Sequence, residues 1–444
     1  MIYEQEIMKE RIISQKEIAE WGTFRDSLRA PVHNWFTYPA GFSYRAVEYS
    51  IRKENLKIGK DTIYDPFMGS GTTNLVAKTM GFNSVDVEAH PFVYNITQAK
   101  IFWEISGKSV LDGLDEIKTK VSKTKRPQKL DSFLAKEFPE LILKCFLPET
   151  LFEMLIVRNC IREMKKTAPV KRILNVALIC VLRDISIAAT GWPYIAPNKI
   201  KITSLSKNGL QTYYNRVLRM LSDIEQVKNA SAKIKTEHSI ILGDSRCTQN
   251  LIESKSVSHI FTSPPYLNNF DYADRTRLEM YFMGEADNWG DISDKIRTKL
   301  ITSATTQISR TDEKYNFDSG FIKECTDDYI FLKKAVDQLS ELRLVKGGKK
   351  SYDLLVTGYF NDLYRILKES QRVLKEGKKA LYILGDSAPY GVHIPTDTLI
   401  GTIGVAVGFK DFKIDVLRQR GGKWANNPQR HSVPLRESVV TLYN

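Results

Sequence analysis

Cysteine is scarce in this sequence, and long apolar runs are missing. The 444 residues include five cysteines, with no C-x-x-C pair and no cysteine and histidine cluster at metal-ligand spacing. We therefore predict a protein of the reducing cytoplasm with no bound metal. The longest apolar stretch, residues 173–189, is interrupted by Arg183 and Asp184, so it predicts a buried helix and no membrane span. The charged residues 1–15 predict no secretory signal.

Acidic residues are outnumbered by basic ones. Lys and Arg total 65 against 52 Asp and Glu, which gives a formal net charge of +13. Such a surplus favours a polyanionic partner through phosphate neutralisation, although a basic soluble protein without nucleic acid has the same composition. With 42% hydrophobic and 26% charged residues and no internal repeat, the chain has the composition of a folded globular protein. Its length predicts a large catalytic core with insertions or a second domain.

Strand and helix patterns alternate in the first hundred residues. A predicted strand at 62–64 leads into Asp65-Pro-Phe-Met-Gly-Ser-Gly-Thr-Thr73 and a helix that ends at Gly81. A second strand at 85–87 precedes a helix from Pro91. This alternation predicts a doubly wound, Rossmann-like α/β fold whose mostly parallel sheet binds ligands beyond the carboxyl ends of its strands. Further strands are predicted at 239–242, 259–261, 380–384, 412–416 and 438–442, with an antiparallel strand near the C-terminus.

The rhythm of the pattern divides the chain into five predicted segments. Helical patterns such as 151–165 and 170–186 fill the first gap between strands, whereas the second gap is polar without a strong period and ends in a predicted mobile loop at 345–350. The segments are 1–106, the lead-in and first half of the catalytic domain; 107–236, a helical insertion and candidate for target recognition; 237–283, the second half of the core; 284–350, a polar insertion and candidate DNA contact; and 351–444, the C-terminal part of the catalytic domain with a helix at 352–374.

The segment 65–73 places two glycines between a strand and a helix. Gly69 and Gly71 allow a tight turn and a close approach of backbone to ligand, next to the free N–H groups of the helix N-terminus. A phosphate-binding P-loop would end in Gly-Lys-Ser/Thr, and no lysine stands there. An ordinary turn between strand and helix is the remaining alternative.

Acidic residues follow the next two strands. Glu88 ends the second strand, where a carboxylate would accept two hydrogen bonds from a ribose diol. Asp86 competes for that role, since neighbouring strand residues face opposite sides, and Glu88 is preferred because it lies nearer the strand's end. Asp244 follows the strand at 239–242 and could accept from an adenine amino group. A helix N-cap by Asp244 or Ser245 is the alternative.

The segment Thr-Ser263-Pro-Pro-Tyr266 follows a predicted buried strand. Its two prolines remove backbone donors and leave the carbonyls of Ser263 and Pro264 as rigid acceptors beside an aromatic ring. Such acceptors suit an exocyclic amino group, because holding its N–H bonds localises the nitrogen lone pair toward an electrophile. Tyr266 would then stack on the base. A rigid strand exit with a core tyrosine is the alternative.

The segments DPFMGSGTT, VDVEAHPF, LGDSR and TSPPYLNNFDY together resemble the motifs of the S-adenosylmethionine-dependent amino-methyltransferases of DNA. In that family Ser-Pro-Pro-Tyr mostly accompanies methylation of cytosine N4, and Asp-Pro-Pro-Tyr that of adenine N6. The resemblance implies S-adenosyl-L-methionine as cofactor, double-stranded DNA as substrate and, in a restriction-modification system, a cognate endonuclease. It assigns the cofactor to Tyr38, Ala40, Asp65, Pro66, Phe67, Gly69, Gly71, Thr72, Thr73, Glu88 and Asp244. It assigns the acceptor base to Ser263, Pro264, Pro265 and Tyr266.

Two features of the sequence depart from the usual pattern of that family, and one candidate DNA contact is predicted from its charge alone. His90 stands where the family usually has asparagine, and no separate C-terminal recognition domain is visible. Methylation of cytosine C5 requires a nucleophilic cysteine, and the chain has no Pro-Cys dipeptide. A basic segment is a candidate phosphate contact: Arg418, Arg420, Lys423 and Arg430. The rival functions are methylation of adenine N6 or of an RNA base, and nucleic-acid binding without turnover.

Overall fold

A seven-stranded sheet lies at the centre of the structure, a computed structural model that describes residues 15–37, 41–190, 194–311, 315–348, 350–420 and 433–444. The order of its strands is β5-β2-β1-β6-β7-β9-β8, and a separate two-stranded sheet pairs β3 with β4. In the described residues the strands are β1 Thr62–Asp65, β2 Asn83–Glu88, β3 Ala188–Ala189, β4 Ala196–Ile200, β5 His238–Leu242, β6 Val257–Thr262, β7 Leu374–Gly385, β8 Asp411–Arg420 and β9 Leu435–Tyr443.

The pairing of these strands confirms the predicted fold class. Strands β5, β2, β1, β6 and β7 are parallel, and β9 runs antiparallel to both β7 and β8. From β1 the chain proceeds outward through β2 and β5, then returns to β6 on the other side of β1. The order therefore reverses between β1 and β6, and an open α/β sheet binds its ligand at such a switch point.

Helices cover the sheet, and their ends follow the local signals in the sequence. The helix Thr72–Met80 is flanked by Gly71 and Gly81, both in the left-handed conformation, and the next helix begins at Pro91. The described α-helices are Gln15–Glu20, Tyr44–Lys53, Thr72–Met80, Pro91–Ile101, Gly107–Lys123, Leu130–Glu137, Glu140–Cys145, Pro148–Glu163, Ala168–Ile185, Gly209–Ala230, Tyr272–Arg275, Arg277–Met283, Trp289–Ile292, Ser319–Glu324, Thr326–Val345, Tyr352–Val373 and Thr396–Ala406.

The helices between residues 107 and 230 share one hydrophobic core with the sheet-covering helix Pro91–Ile101. Leu155, Leu174 and Val217 come from three different helices of this segment and are buried together with Phe92 and Ile96. The helical segment therefore packs against the helix that follows β2 in the first half of the sheet. Among the described residues, no helix is both long enough and apolar enough to cross a membrane.

The polar segment 284–350 contains more regular structure than its pattern predicts. The helix Thr326–Val345 runs for 20 residues, into the first position of the loop that the sequence predicts at 345–350. It buries Leu332, Ala335 and Leu339 and leaves Val345 exposed. Because one narrow stripe contacts the neighbouring helix Tyr352–Val373, the hydrophobic period is too weak to be read from the sequence.

Candidate functional site

The predicted cofactor and acceptor motifs meet in one crevice at the switch point. β1 and β6 are neighbours in the sheet, with Tyr64 opposite Ile260, so the loops that follow them leave the same edge side by side. Eight of the predicted residues line the crevice: Pro66, Phe67, Gly69, Thr72, Glu88, Asp244, Ser263 and Pro265. The loop at residues 263–266, here called the acceptor loop, thus faces the loop at residues 65–73, here called the glycine loop, across a shared space.

The glycine loop is held in its turn by contacts from the helix Pro91–Ile101. Gly69 and Gly71 both have positive φ, 52° and 80°, and a Cβ on Gly71 would lie 2.5 Å from Thr97 Cγ2. Thr97 Oγ1 donates to the Gly69 carbonyl at 2.8 Å, and the Lys100 amine donates to the Ser70 carbonyl at 2.6 Å. Burial lowers the pKa of Lys100 to about 7. Sequence reasoning missed Lys100, because a lone lysine on a helix carries no signal.

Asp65 and Thr73 support the crevice from behind its wall. The Oδ1 atom of Asp65 accepts from the Phe67 backbone N–H at 2.9 Å and from Thr262 Oγ1 at 2.5 Å. Thr73 Oγ1 donates to the Phe261 carbonyl at 3.0 Å. Asp65 therefore ties the end of β1 to the end of β6, and Thr73 ties the start of the helix Thr72–Met80 to β6. Burial raises the pKa of Asp65 to about 6.

The structure separates the two acids of β2. Glu88 lines the crevice, and its oxygens accept from the Gly69 N–H at 2.7 Å and the His90 N–H at 2.8 Å. Asp86 is fully buried under the sheet edge, where its Oδ1 accepts from the Asp65 N–H at 3.1 Å. Of the two, Glu88 is therefore the acid that a ligand can reach. Burial raises the pKa of Glu88 to about 7.

Asp244 lines the crevice and is paired with an arginine. Arg246 Nε donates to Asp244 Oδ1 at 2.9 Å, and Arg246 Nη2 donates to Oδ2 at 2.7 Å. Asp244 also accepts from the Arg246 backbone N–H at 2.9 Å. Ser245 Oγ donates to the Pro66 carbonyl at 2.5 Å, joining this turn to the glycine loop.

Ser263 and Pro265 present the acceptor loop to the crevice, while Pro264 is buried. The Ser263 Oγ atom is shielded from solvent and lies near the Tyr266 hydroxyl, yet it accepts no hydrogen bond in the part of the chain that the structure describes. A buried polar atom without a partner is costly to a folded protein. The atom is therefore an acceptor available to a ligand.

Tyr266 lies behind the crevice wall. Its ring is buried, and its hydroxyl donates to Glu437 Oε1 at 2.9 Å. The Arg420 guanidinium lies over the ring at 5.2 Å from its centre, and Arg418 Nε donates to Glu437 Oε2 at 2.6 Å. Two of the four residues predicted to contact phosphates, Arg418 and Arg420, are thus engaged around Tyr266. Stacking of a base on Tyr266 stays a prediction. Four predicted residues lie outside the described ones: Tyr38, Ala40, Lys423 and Arg430.

A strap formed by residues 299–303 closes one side of the crevice and was missed by sequence reasoning. Lys299, Leu300, Ile301 and Ser303 line the same space as the cofactor motifs. The apolar pair Leu300 and Ile301 within a polar segment is the signal that could have indicated a buried contact. The segment 284–350 therefore contributes to the crevice itself.

His90, the departure from the family pattern, is a structural contact. Its ring is fully buried, and Nε2 lies 2.8 Å from the Thr276 hydroxyl. Burial lowers the pKa of His90 to about 3, so the ring is neutral. It joins the end of β2 to the helices after the acceptor loop.

Comparison with known proteins gives a family match and several relatives. Residues 10–99 match the family model of N6 and N4 methyltransferases described as DNA methylase. The chain is 27% identical to the Type II methyltransferase M.BsoBI of Geobacillus stearothermophilus, over 92% of this chain and 85% of that protein. It is 25% identical to the Type II methyltransferase M.AvaI of Nostoc sp., over 89% of this chain and 82% of that protein.

A solved structure is also similar to part of the chain. The rRNA methyltransferase AviRa from Streptomyces viridochromogenes aligns with 66% of this chain and 83% of its own, at 10% identity and a TM-score of 0.23.

Proposed function

We propose, from the confirmed resemblance of this chain to the S-adenosylmethionine-dependent amino-methyltransferases of DNA, that the protein transfers a methyl group to the exocyclic N4 of a cytosine flipped out of double-stranded DNA. The observation that carries the proposal is the buried Ser263 Oγ, which accepts no hydrogen bond from the described residues and stands on a loop that shares its crevice with Gly69 and Glu88.

The crevice residues fit the cofactor that the resemblance implies. Glu88 retains free lone pairs for the two hydroxyls of a ribose, and the Asp244 carboxylate can accept from an adenine amino group. Phe67, Leu300 and Ile301 supply apolar walls for a purine. When bound, S-adenosyl-L-methionine supplies an electrophilic methyl group on a sulfonium.

The acceptor loop can activate an amino group without a metal or a covalent intermediate. Ser263 Oγ and the carbonyls of Ser263 and Pro264 can accept both N–H bonds of the amine, which directs its lone pair out of the base plane. With its lone pair held in this direction, the amine would take the methyl group that the cofactor would supply when bound, and it would release one proton to water. Because the Tyr266 ring is buried, with Arg420 over one face, stacking of the base on it requires the side chains around the ring to move.

The choice of cytosine N4 rests on the resemblance of Ser-Pro-Pro-Tyr to the loops of N4 enzymes. Mass spectrometry of nucleosides from DNA of cells expressing the protein tests it, with cells expressing Ser263→Ala as control. We expect N4-methylcytosine. Recovery of N6-methyladenine alone would mean that the target base is adenine. Methylated nucleosides from RNA alone would mean that the substrate is RNA. Tight DNA binding without transfer from labelled cofactor would favour the non-catalytic alternative.

One basic stretch of the helical segment, residues 185–222, suits contact with a DNA backbone. Between Asp184 and Asp223 the sequence has no acidic residue. Its basic residues are Lys199, Lys201, Lys207, Arg216 and Arg219. β4 and the turn after it also expose Ile200 and Ile202, at 67% and 77%, which could contact sugars or base edges. This stretch belongs to the segment predicted to recognise the target.

Neutralising this stretch should weaken DNA binding in a salt-dependent way. For the double variant Lys199→Gln and Lys207→Gln, we expect the slope of log K against log salt to become shallower by about 0.9 for each phosphate that the variant no longer neutralises. Fluorescence anisotropy of labelled duplex across a salt series measures it. The matched control is Lys57→Gln with Lys60→Gln, exposed residues before β1 at the opposite ends of the strands from the crevice. Equal slopes in both variants would place the DNA elsewhere.

Cofactor binding should depend on pH through Glu88. Burial raises the pKa of this carboxyl to about 7 in the free protein, whereas two ribose hydroxyl donors favour the charged form. Affinity is therefore full above pH 7 and should fall as pH drops through 7, by up to about tenfold per unit. Calorimetric titration with S-adenosyl-L-homocysteine between pH 6 and 8.5 (roughly the window that brackets this pKa) measures it. Glu88→Gln should bind weakly without this dependence, and an unchanged profile would assign the ribose to another group.

A further inference from the structure

Arg246 lies between two carboxylates that come from distant parts of the chain. On one side it forms the two-point pair with Asp244, and on the other its Nη1 donates to Asp362 Oδ1 at 2.9 Å. Asp362 belongs to the helix Tyr352–Val373, on the far side of the strap from the crevice. The sequence marks Arg246 only as the residue after Asp244-Ser245.

The same carboxylate holds the strap. Asp362 Oδ2 accepts from the Thr302 backbone N–H at 2.8 Å, and Arg246 Nη2 reaches the Lys299 carbonyl at 3.4 Å. The other end of the strap is fixed by the Asn268 N–H, which donates to the Ser303 carbonyl at 3.0 Å. One arginine and one aspartate thus connect Asp244 to the backbone of residues 299–303.

The strap is one residue layer thick at this point. Leu300 and Asp244 line the crevice on one side and also a second, polar cavity on the other. The other arginines lining that cavity are paired elsewhere, Arg297 with Asp271 at 2.7 Å and Arg365 with Asp318 at 2.6 Å. Among the arginines that line this cavity, Arg246 is therefore the one that forms an ion pair with Asp244.

Burial makes this connection costly to break. Asp362 retains 8% of its side-chain exposure and Arg246 20%, whereas Asp244 keeps 38% and can still meet a ligand. A carboxylate as buried as Asp362 needs its cation and its N–H donor. The Arg246 guanidinium orients both Asp244 oxygens, and the Asp244 side chain still lines the crevice.

We infer that Arg246 and Asp362 are positioning residues that clasp the strap 299–303 over the adenine of the cofactor and orient Asp244 toward its amino group. The inference rests on the proposed cofactor, and it goes further by assigning adenine recognition to a three-residue relay. Two consequences follow: the protein distinguishes a 6-amino purine from a 6-oxo purine, and ligand binding orders the strap.

The test compares two ligands and needs no turnover. Calorimetry gives the dissociation constants of S-adenosyl-L-homocysteine and of its inosine analogue, which carries a carbonyl in place of the amino group. We expect the natural protein to prefer the adenosyl ligand by about 100-fold. Arg246→Ala should weaken adenosyl binding about 10- to 100-fold and lower the preference to about tenfold or less. Arg246→Lys keeps the positive charge but lacks the planar guanidinium. Its affinity for the adenosyl ligand and its ligand preference should therefore lie between those of the natural protein and those of Arg246→Ala.

Hydrogen exchange gives a second readout of the clasp, and circular dichroism checks that each variant folds. Hydrogen exchange of the Thr302 amide should slow on binding the adenosyl ligand in the natural protein, and it should respond little in Asp362→Asn, whose amide still accepts from Thr302 but cannot serve Arg246. Arg365→Ala removes a matched arginine–aspartate pair one turn along the same helix and should leave both readouts unchanged. Its circular dichroism and that of the other variants check folding.

The outcomes separate this inference from the proposed function. An Arg246→Ala protein with the natural ligand preference and strap protection would overturn the clasp. Natural protein that binds neither ligand would overturn the cofactor assignment and the clasp together. Ligand binding with the expected preference but no transfer to DNA would overturn the proposed function and leave the clasp in place.

Discussion

Replacing Ser263 with alanine should lower the rate of methyl transfer to DNA by about 10²- to 10³-fold, the range seen when one preorganised hydrogen-bonding group is removed from an active site. Ser263 Oγ is shielded from solvent, accepts no hydrogen bond from the described residues and belongs to the loop that faces the glycine loop. Its loss removes one acceptor from the amine and leaves the cofactor's surroundings intact. The dissociation constant for S-adenosyl-L-homocysteine should therefore stay nearly unchanged.

Single-turnover rates at saturating cofactor, together with calorimetry of cofactor binding, measure these two quantities separately. Ser50→Ala is the matched control, because Ser50 is also a buried serine but bonds to the Val47 carbonyl and to His259, away from the crevice. It should affect stability alone. If Ser263→Ala lost cofactor affinity as strongly as turnover, the loop would serve the cofactor and the acceptor assignment would be wrong.

Replacing Gly69 with leucine should have the opposite pattern and weaken cofactor binding by at least about 100-fold, a change of roughly 3 kcal/mol. Gly69 lines the crevice, its φ is positive, and its N–H and carbonyl bond to Glu88 and Thr97. A leucine there adds backbone strain of about 1–2 kcal/mol and also fills space that the cofactor needs. The strain lowers the stability of the folded protein with or without cofactor, whereas the lost space weakens only the bound state.

Gly284→Ala separates these two effects, since Gly284 has a φ of 71° at a helix end with only Arg162 near its Cβ position. That variant should lose some thermal stability and keep its cofactor affinity. Calorimetric titration and thermal unfolding of both variants make the comparison. A Gly69→Leu protein that bound S-adenosyl-L-homocysteine normally would move the cofactor out of this crevice.

Local motifs explain why the crevice could be predicted at all. A strand that ends in Asp65, two glycines and a helix N-terminus is specified by near neighbours, and so is the rigid pair of prolines after Ser263. Parallel strands then bring such loops to one edge of a sheet, which is why Glu88, Asp244 and Ser263 line the same space. The register of β2 places Glu88 in the crevice wall and buries Asp86, while the ribose contact of Glu88 stays a prediction.

The surroundings of those motifs came from contacts between residues far apart in the chain. The hydrogen bond that holds Tyr266 joins it to Glu437, 171 positions away, and Arg420 covers its ring. The strap at 299–303 reaches the crevice because Asp362 holds it from another helix. None of these pairs leaves a periodic or compositional signal in either segment.

The amino-acid sequence by itself therefore determined which chemical groups reach the edge of the sheet. These are the glycine turn, the acids at the strand ends and the acceptors next to the two prolines, all of them set by short-range backbone preferences. Only the tertiary structure decided which side chains close the site and which are already engaged. Long-range packing and burial select those partners, and a linear pattern does not encode which distant residue will supply the missing donor or charge.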